Sequence, residues 1–354
     1  MSADFWQGKR VFVTGHTGFK GAWLCLWLQA LGAKIYGFAL DAPTTPNFFD
    51  VAQVVGVMTG NIHADVRDAG AFAGAMQAAQ PDVVFHLAAQ SLVRYSYTAP
   101  AETYAVNVMG TVNLLEAIRQ TPSVKAVVNI TTDKCYENRE WVWPYRENEA
   151  MGGYDPYSSS KACSELVTAA YRRSFLAPAG IYIASARAGN VIGGGDWAVD
   201  RLIPDFLRAL DAGKKLMIRS PDAIRPWQHV LEPLSGYLTL AEKLFSGVQS
   251  FAEAWNFGPD DNDAKPVRWI IEYLCGQVQD TAWQQDASPQ PHEANYLKLD
   301  SFKAKAQLGW RPRWDLQTAL GKTLAWHHAW REGTNMADFS LQQIHEYEAT
   351  VTRS

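Results

Sequence analysis

The sequence of 354 residues has few cysteines and no long apolar run. Its four cysteines, Cys25, Cys135, Cys163 and Cys275, are widely separated, which excludes a CxxC pair or a metal-binding spacing and indicates reduced thiols. We therefore expect no bound metal. No run of about 18 apolar residues occurs, so we expect no transmembrane helix. The first residues lack an apolar segment, and we expect no signal peptide and a cytoplasmic protein.

An excess of positive charge is also missing. The chain has 36 acidic and 32 basic residues, which gives a formal net charge of −4. Proteins that bind nucleic acid usually carry a basic excess or a basic stripe, so this balance argues against a nucleic-acid partner. A small anionic ligand remains compatible with it, because a local cluster of arginines is enough to bind one.

What the chain does contain is an alternation of short apolar runs with helical stretches. Continuous apolar strands separated by helices indicate a parallel sheet covered on both faces. With right-handed crossovers, they predict an α/β fold built on a doubly wound parallel sheet, which is Rossmann-like. The predicted strands are residues 11–14, 34–40, 82–87, 124–131, 181–187 and 254–257, and the predicted helices are residues 19–31, 101–119, 157–175 and the tail from 316.

After about Asn190 the periodicity weakens, while glycine, proline and tryptophan become frequent. Such a composition is typical of a smaller lobe that carries loops over a ligand. We predict a dinucleotide-binding domain at residues 1–190, with a segment near 230–260 that returns to the main sheet. A smaller C-terminal substrate-binding lobe would then comprise residues 191–229 and 261–354.

The glycines of the segment from Gly15 to Gly21 are spaced GxxGxxG, after a predicted strand and at the start of a predicted helix. Gly15 permits a tight turn, Gly18 lets the backbone approach a pyrophosphate, and Gly21 lets the helix pack on the strand. The helix N-terminus offers free N–H groups to the phosphates. This pattern predicts a dinucleotide site that includes Thr17 and Phe19, the alternative being a purely structural turn.

Two aspartates follow at positions that suit the adenosine half of such a ligand. Asp41 lies about 20 residues after Gly21, where a carboxylate can bind the ribose, and this favours NAD over NADP. Its alternative is a solvated loop residue. Asp65 follows a third predicted strand and is a candidate for contact with the adenine. Its alternative is a cap at a helix start, ahead of Arg67 and Asp68.

A second motif, Tyr157-Ser-Ser-Ser-Lys161, places a phenol and an ammonium group on one face of a predicted helix. A free phenol has a pKa of about 10 and is a poor base at neutral pH. A nearby Lys161 and a positive nicotinamide ring would favour the phenolate and lower that pKa. We therefore predict Tyr157 as a catalytic base and Lys161 as its partner, both also in contact with the cofactor.

Together the two motifs resemble the extended short-chain dehydrogenase/reductase superfamily, and the similarity spans roughly residues 8–330. Segments 86–89, 107–111 and 187–191 agree with it, although a packing role explains each one equally well. The resemblance implies NAD as cofactor, Ala88 near the nicotinamide, and Asn190 at the entry to the substrate lobe. It also implies a homodimer or homotetramer that pairs the helices at 101–119 and 157–175.

The segment Thr132-Asp133-Lys134 narrows the resemblance, because it follows a strand at the edge where active sites of open α/β sheets gather. Simple epimerases of the superfamily lack the acid-base pair, and the dTDP-glucose dehydratases carry Thr-Asp-Glu. The lysine form is similar to the branch of nucleotide-sugar 4,6-dehydratases that acts on CDP-glucose. Lys20 and the segments 193–197, 225–230 and 292–294 agree with that branch. The alternative for Asp133 and Lys134 is a surface ion pair.

The resemblance implies an internal redox cycle that ends in a 4-keto-6-deoxy sugar nucleotide, as used for deoxysugars of surface polysaccharides. Tyr157 and Thr132 would act at carbon 4. By analogy Asp133 is the acid at carbon 6 and Lys134 the base at carbon 5. The reverse stays open, because their ordinary pKa values favour the ion pair in water by roughly 9 kcal/mol. A 4-epimerase and a non-catalytic NAD(P)-sensing protein are the alternative functions.

Three basic residues near the predicted lobe are candidates for binding the substrate pyrophosphate. Arginine suits phosphate because its planar fork donates two hydrogen bonds at once. Arg225 is the principal candidate, with Arg201 and Lys215 nearby in the sequence. For Arg201 a solvated side chain is the alternative.

Overall fold

The computed structural model describes residues 3–278, 281–286, 288 and 294–351. Residues 292 and 293 of the predicted segment 292–294 therefore lie outside the described residues. The strands, in chain order, are β1 Arg10–Thr14, β2 Lys34–Ala39, β3 Gly60–His63, β4 Val83–His86, β5 Ala126–Ile130, β6 Tyr182–Ala188, β7 Asn190–Ile192, β8 Leu216–Ile218, β9 Ile224–Arg225, β10 Trp227–His229, β11 Ala254–Phe257, β12 Lys265–Pro266 and β13 Trp283–Gln285. The α-helices are α1 Ala3–Trp6, α2 Phe19–Ala30, α3 Phe48–Val51, α4 Ala69–Ala79, α5 Val93–Thr98, α6 Pro100–Tyr104, α7 Gly110–Arg119, α8 Pro156–Tyr171, α9 Leu202–Asp211, α10 Leu231–Phe245, α11 Val267–Gln277, α12 Leu316–Arg331 and α13 Met336–Ala349.

Seven of these strands form one parallel sheet in the order β3-β2-β1-β4-β5-β6-β11. This confirms the predicted doubly wound parallel sheet, including the late strand at residues 254–257. The strand order reverses between β1 and β4, since β2 follows β1 on one side and β4 lies on the other. Ligands of open α/β sheets bind in the crevice at such a reversal, beyond the carboxyl ends of the strands.

Strand β1 shows why the apolar runs of this chain become central strands. Val11, Phe12 and Val13 are all fully buried. Successive side chains of a strand point to opposite faces, so Val11 and Val13 enter the core that contains α2, whereas Phe12 enters the core formed with α4 and α7. A strand that is buried on both faces favours apolar residues at successive positions, which explains the uninterrupted apolar run from Val11 to Val13.

The long helix predicted at residues 101–119 differs in detail. It consists of α6 and α7 joined by a π turn at Ala105–Met109. Asn107 lies in this turn and is buried; its side-chain amide donates to the backbone carbonyl of Gln90 and to the hydroxyl of Ser160 on α8. The turn thus connects the helix to the active-site helix α8. None of the helices within the described ranges is both long and apolar enough to cross a lipid bilayer.

The C-terminal part of the chain has a smaller core of its own. It packs α9, α11 and α12 around β8, with Phe206, Ile218, Ile270 and Leu320 among its buried residues. The short sheets β7–β10, β8–β13 and β9–β12 accompany it. Helix α13 instead packs on α2, where the indole of Trp27 donates a hydrogen bond to Glu348. The end of the predicted lobe therefore also contacts the dinucleotide-binding part.

Candidate active site

A cavity of about 1190 Å³ runs along the carboxyl ends of the sheet strands and beneath the C-terminal lobe. Its volume exceeds the ~300–1,000 Å³ that is usual for a site that holds one small ligand. The glycine loop lines one end, the residues of α8 and of the turn after β5 line the middle, and Arg225 with β8 lines the other end. This layout accommodates a dinucleotide and a second ligand side by side.

The glycine loop has the geometry that the sequence predicts. Gly15 has φ +74°, and a Cβ there would lie 2.7 Å from the backbone nitrogen of Ala88. A Cβ at Gly21 would collide with the carbonyl oxygen of Gly15. Gly18 precedes α2, borders the cavity and provides no side-chain cap, so the first N–H groups of α2 remain available. These features fit the pyrophosphate of a dinucleotide.

At the same end of the cavity lie Thr17, Phe19, Asp41, Asp65 and Ala88. The hydroxyl of Thr17 donates to the backbone carbonyl of Leu40, which fixes the loop to the end of β2. The side chain of Asp41 is 91% exposed, and Nδ1 of His63 lies 2.5 Å from its carboxylate. The predicted ribose carboxylate is thus at the cavity, with a histidine beside it.

Asp65 lies at the cavity and is not the cap of the following helix. It lines the cavity, and its carboxylate accepts hydrogen bonds from the backbone and the side chain of Arg67. The side-chain hydrogen bonds from Arg67 lower the pKa of Asp65 below its usual range. The cap of α4 is a different residue, Asp68, which accepts from the backbone of Ala71.

Tyr157 and Lys161 are brought together at the start of α8. Asp155 caps this helix through the backbone and hydroxyl of Ser158, and Pro156 occupies its first position. Tyr157 is 8% exposed and Lys161 is 7% exposed, and both line the cavity. Nζ of Lys161 lies 3.4 Å from the backbone carbonyl oxygen of Ile130 at the end of β5.

The pKa values of this pair differ from the prediction in one respect. Burial lowers the pKa of Lys161 to about 8. Burial raises the pKa of Tyr157 to about 12, although a hydrogen bond from Thr132 and the charge of Arg201 oppose the rise. The protein's own side chains therefore do not lower the pKa of Tyr157 as predicted. The positive nicotinamide ring of a bound NAD is left as the source of that lowering.

The turn after β5 places Thr132, Asp133 and Lys134 against the same part of the cavity. The hydroxyl of Thr132 donates to Oδ1 of Asp133 at 3.0 Å and accepts from the backbone of Lys134. Nζ of Lys134 lies 3.7 Å from Oδ1 of Asp133, whose side chain is only 1% exposed. The pair is therefore buried on its acidic side, and the alternative of a surface ion pair is wrong.

The predicted substrate residues occupy different places. Asn190 and Arg225 line the cavity, and Arg225 is 6% exposed on β9. Arg201 donates to Asp196 at 2.9 Å and to Ser91 at 3.2 Å. Its charge acts on Tyr157, so Arg201 lies towards the reaction end of the cavity, although its side chain is still 34% exposed. Lys215, by contrast, is exposed and does not line the cavity.

Two features of the site were not assigned from the sequence. Lys20 of the glycine loop lines the cavity, and burial together with the charges of Arg201 and Lys161 lowers its pKa to about 7. Its position within the glycine motif was the signal, although from the sequence Lys20 served only as a mark of resemblance. At the lobe end, Asp200 has φ +59° and pairs with both Arg94 and Arg219.

Both signs of charge line the cavity, with seven cationic side chains and nine carboxylates. The cations that line it are Lys20, Arg94, Lys134, Lys161, Arg201, Arg219 and Arg225. Cationic side chains around a cavity attract phosphate groups and stabilise negative charge that develops during a reaction. Among the residues that the structure describes, no group of three or more His, Cys, Asp or Glu is arranged to hold a metal ion.

Comparison with known proteins adds independent findings. A family model described as GDP-mannose 4,6 dehydratase matches residues 12–323. The CDP-glucose 4,6-dehydratase of Salmonella typhimurium is 55% identical to this chain over the full length of both. The dTDP-glucose 4,6-dehydratase 1 of Escherichia coli is 29% identical over 75% of this chain and 77% of its own length.

Solved structures resemble the chain over nearly its whole length. The dTDP-glucose 4,6-dehydratase of Streptomyces venezuelae, with NAD bound, is 25% identical with a TM-score of 0.75 and covers 92% of this chain and 98% of its own. The UDP-glucose 4-epimerase of Thermotoga maritima, with UDP-glucose, is 22% identical with a TM-score of 0.76. The match covers 91% of this chain and 99% of the epimerase chain, and at 22% identity it shows only a common fold.

Proposed function

The chain belongs to the GDP-mannose 4,6 dehydratase family, and from this premise we propose that it dehydrates CDP-glucose to CDP-4-keto-6-deoxyglucose. The observation that carries the proposal is the buried Asp133–Lys134 pair beside Tyr157. A 4-epimerase needs only Tyr157 and Thr132, and it leaves this pair without a role. The full-length identity of 55% to the Salmonella CDP-glucose 4,6-dehydratase supports the same substrate.

The cofactor is NAD. When bound, it accepts the hydride from carbon 4 and returns it to carbon 6, so none is consumed. The glycine loop and the first turn of α2 hold its pyrophosphate, and we propose that Asp41 binds the ribose, Asp65 the adenosine end, and Ala88 the region near the nicotinamide. Thr17 and Phe19 complete the loop around the cofactor.

At the reacting end, Tyr157 accepts the proton of the 4-hydroxyl, with Lys161 one turn further along α8. Thr132 donates a hydrogen bond to the same oxygen and orients it. The ketone at carbon 4 acidifies the proton on carbon 5, which one member of the Asp133–Lys134 pair removes. The other member protonates the leaving 6-hydroxyl, so water departs and a double bond joins carbons 5 and 6. When the hydride is returned to carbon 6, carbon 5 takes a proton back, which completes the 4-keto-6-deoxy sugar.

The nucleotide end of the substrate extends under the C-terminal lobe. We propose that residues 191–229 and 261–354 form this lobe, and that residues 1–190 with the return near 230–260 form the dinucleotide-binding domain. Arg225 and Asn190 then contact the substrate from β9 and β7. Arg201 acts closer to the sugar, because its charge reaches Tyr157. We propose that the protein acts in the cytoplasm and that its product supplies the synthesis of deoxysugars for surface polysaccharides.

We propose that the chain acts as a homodimer or homotetramer. Exposed apolar side chains lie along α6 to α8. Met109 is 52% exposed in the π turn after α6, Leu166 is 60% exposed on α8, and Phe175 is 42% exposed in a second π turn that follows α8. Such side chains on neighbouring helices suit a helix-to-helix contact between two copies.

Sedimentation equilibrium distinguishes a monomer, a dimer and a tetramer. Leu166→Glu should shift a dimer to monomer, and a monomeric native chain would contradict the proposal.

The function is tested by incubating the protein and NAD with CDP-, dTDP-, UDP- and GDP-glucose in parallel and recording mass spectra. A dehydratase removes one water from its substrate, and we expect this loss with CDP-glucose above the others. An epimerase leaves the mass unchanged, and its product is recognised by chromatography. A non-catalytic NAD-sensing protein changes neither the mass nor the chromatographic behaviour of the nucleotide glucose, although it still binds the cofactor.

A further inference from the structure

The turn that carries Thr132, Asp133 and Lys134 rests on a buried ion pair. Glu165 on α8 and Arg187 on β6 are 5% and 4% exposed at their side chains. Arg187 donates from Nε to Oε1 and from Nη2 to Oε2 of Glu165, both at 2.9 Å. Such a two-pronged contact restricts both distance and orientation more than a single hydrogen bond does.

This ion pair holds both ends of the turn. At the first end, the hydroxyl of Thr131 donates to Oε1 of Glu165 at 2.5 Å. At the second end, Nη1 of Arg187 donates to the hydroxyl of Tyr136 at 2.7 Å. Thr131 and Tyr136 enclose the three proposed reacting residues, so the backbone between them is anchored to one buried group on either side.

Glu165 also belongs to the helix that carries the base. It follows Lys161 by four residues and Tyr157 by eight, so the three side chains lie on one face of α8. The ion pair therefore connects two parts of the site that different elements supply. Tyr157 and Lys161 come from α8, whereas Asp133 and Lys134 come from the turn after β5.

The charges of the pair suit a fixed structural connection. Burial alone would raise the pKa of Glu165, but Arg187 and the hydroxyls of Ser185 and Thr131 outweigh it, and the pKa lies below its usual range. The carboxylate is thus charged and fully hydrogen-bonded, with both of its oxygens occupied. A buried charge satisfied in this way has little freedom to move, because each displacement breaks a hydrogen bond.

We propose that Glu165 is a positioning residue, which sets the placement of the Asp133–Lys134 pair relative to Tyr157. The proposal rests on the proposed dehydratase function. Removal of hydrogen from carbon 4 depends chiefly on Tyr157 of α8, with Thr132 of the turn only orienting the oxygen, while removal of the carbon-5 proton and the 6-hydroxyl depends on the turn alone. A shift of the turn against α8 therefore slows the elimination more than the oxidation. Reduced cofactor then accumulates, because it is consumed only after the elimination.

The test uses two variants that each remove one hydroxyl from the same carboxylate. Thr131→Val removes the donor to Oε1 at the start of the turn. Ser185→Ala removes the donor to Oε2. Ser185 lies on β6, its hydroxyl oxygen is 2.5 Å from Oε2, and it has no part in the turn. For each full-length protein with NAD and CDP-glucose, one measures kcat, KM and the near-ultraviolet absorbance of the reduced nicotinamide during turnover.

We expect Thr131→Val to lower kcat by about tenfold, with KM changed by less than about threefold and reduced cofactor accumulating. Ser185→Ala should behave as the native protein does. Tyr136→Phe, which removes the hydroxyl at the other end of the turn, should reproduce the accumulation. A purely structural role would lower the yield or the melting temperature of these variants without changing which form of the cofactor accumulates.

Two outcomes overturn the proposals separately. If Thr131→Val and Tyr136→Phe show no more reduced cofactor than Ser185→Ala, Glu165 does not position the turn. If the native protein removes water from none of the four nucleotide glucoses, the proposed function itself fails.

Discussion

Nζ of Lys134 lies 3.7 Å from Oδ1 of Asp133, and the two side chains differ sharply in exposure, at 26% and 1%. The hydroxyl of Thr132 donates to the same oxygen, while Oδ2 of Asp133 is buried with no hydrogen-bond partner among the described residues. A buried carboxylate oxygen without a donor is costly. A substrate hydroxyl that donates to Oδ2 would remove that cost.

Single substitutions of this pair separate the acid from the base. With Asp133 as acid and Lys134 as base, Lys134→Met abolishes the exchange of the carbon-5 proton into deuterated water. Asp133→Asn should lose dehydration of CDP-glucose, yet it should still release fluoride from the 6-deoxy-6-fluoro analogue, because fluoride needs little acid assistance. The analogue thus serves as the control for the acid role.

The reverse assignment gives the opposite pattern. Should Lys134→Met release fluoride at a near-native rate while Asp133→Asn does not, Asp133 is the base. A pH profile does not assign the roles, because it does not identify which residue carries a given proton.

Replacing Tyr157 with phenylalanine removes the proton acceptor and leaves the volume nearly unchanged. We expect Tyr157→Phe to lose more than about 99% of kcat while its affinity for NAD, measured by calorimetry, stays close to native. Tyr171→Phe is the matched control, since Tyr171 ends the same helix and donates to Glu116 away from the cavity. Retention of kcat within about tenfold would mean that another group is the principal base.

Arg225 should determine the affinity for the nucleotide sugar. Arg225→Lys keeps the charge but loses the planar fork that binds phosphate with two hydrogen bonds. We expect KM for CDP-glucose to rise by about tenfold and kcat to change by less than about threefold. The control is Arg268→Lys, because Arg268 is 43% exposed and pairs with Asp222 outside the cavity lining. An unchanged KM would place the pyrophosphate elsewhere.

Asp41 should determine the choice of dinucleotide. Its carboxylate repels a 2′-phosphate, so Asp41→Asn should raise the affinity for NADP⁺ relative to NAD⁺ by about tenfold. Binding is measured for both dinucleotides with cofactor-free protein. Asp222→Asn is a suitable control, since Asp222 is 83% exposed and remote from the cavity lining. A native preference for NADP⁺ would contradict the role of Asp41.

The burial of Lys161 should be visible in the dependence of stability on pH. Its pKa falls from 10.5 to about 8 in the folded protein. Below pH 8 the group is charged in both states, and the folded state bears the whole cost of burying that charge. Between pH 8 and 10.5 the folded protein releases the proton while the unfolded chain keeps it, so the contribution of Lys161 to stability becomes less unfavourable as pH rises.

Urea unfolding of Lys161→Met and of the native protein at pH 8 and pH 10 measures this effect. The native protein should gain about 2 kcal/mol relative to Lys161→Met over that interval. Lys215→Met, at an exposed lysine, should follow the native protein at both values. A constant difference between native protein and Lys161→Met would show that Lys161 keeps its ordinary pKa.

The parts of the site that the sequence predicts are those in which local chain geometry determines the chemistry. The spacing of Gly15, Gly18 and Gly21 reflects a single turn, and the spacing of Tyr157 and Lys161 reflects one helix face. Each can therefore be interpreted without knowledge of the rest of the fold. The sheet is predictable for a similar reason, because strands buried on both faces carry uninterrupted apolar sequence.

The parts that escape prediction depend on contacts between distant segments. Arg201 reaches the reaction end of the cavity because Asp196 and Ser91 hold its guanidinium there, and no sequence spacing reveals this contact. The same holds for Glu165 and Arg187, which meet only after α8 has packed on β6. The burial of Tyr157 itself likewise reverses the expectation for its pKa, since desolvation is a property of the folded core and not of the motif.

The position of β11 in the sheet has a consequence for biosynthesis. β11 begins at Ala254 and pairs with β6, which ends at Ala188. Before β11 can emerge from the ribosome, the 65 residues from 189 to 253 must be synthesised, which takes roughly 3 to 13 s at the usual rate of translation. During that interval β6 has an unpaired edge, which is a template for strands of other nascent chains. Chaperone occupancy of ribosome-bound chains should therefore be highest before Phe257 emerges.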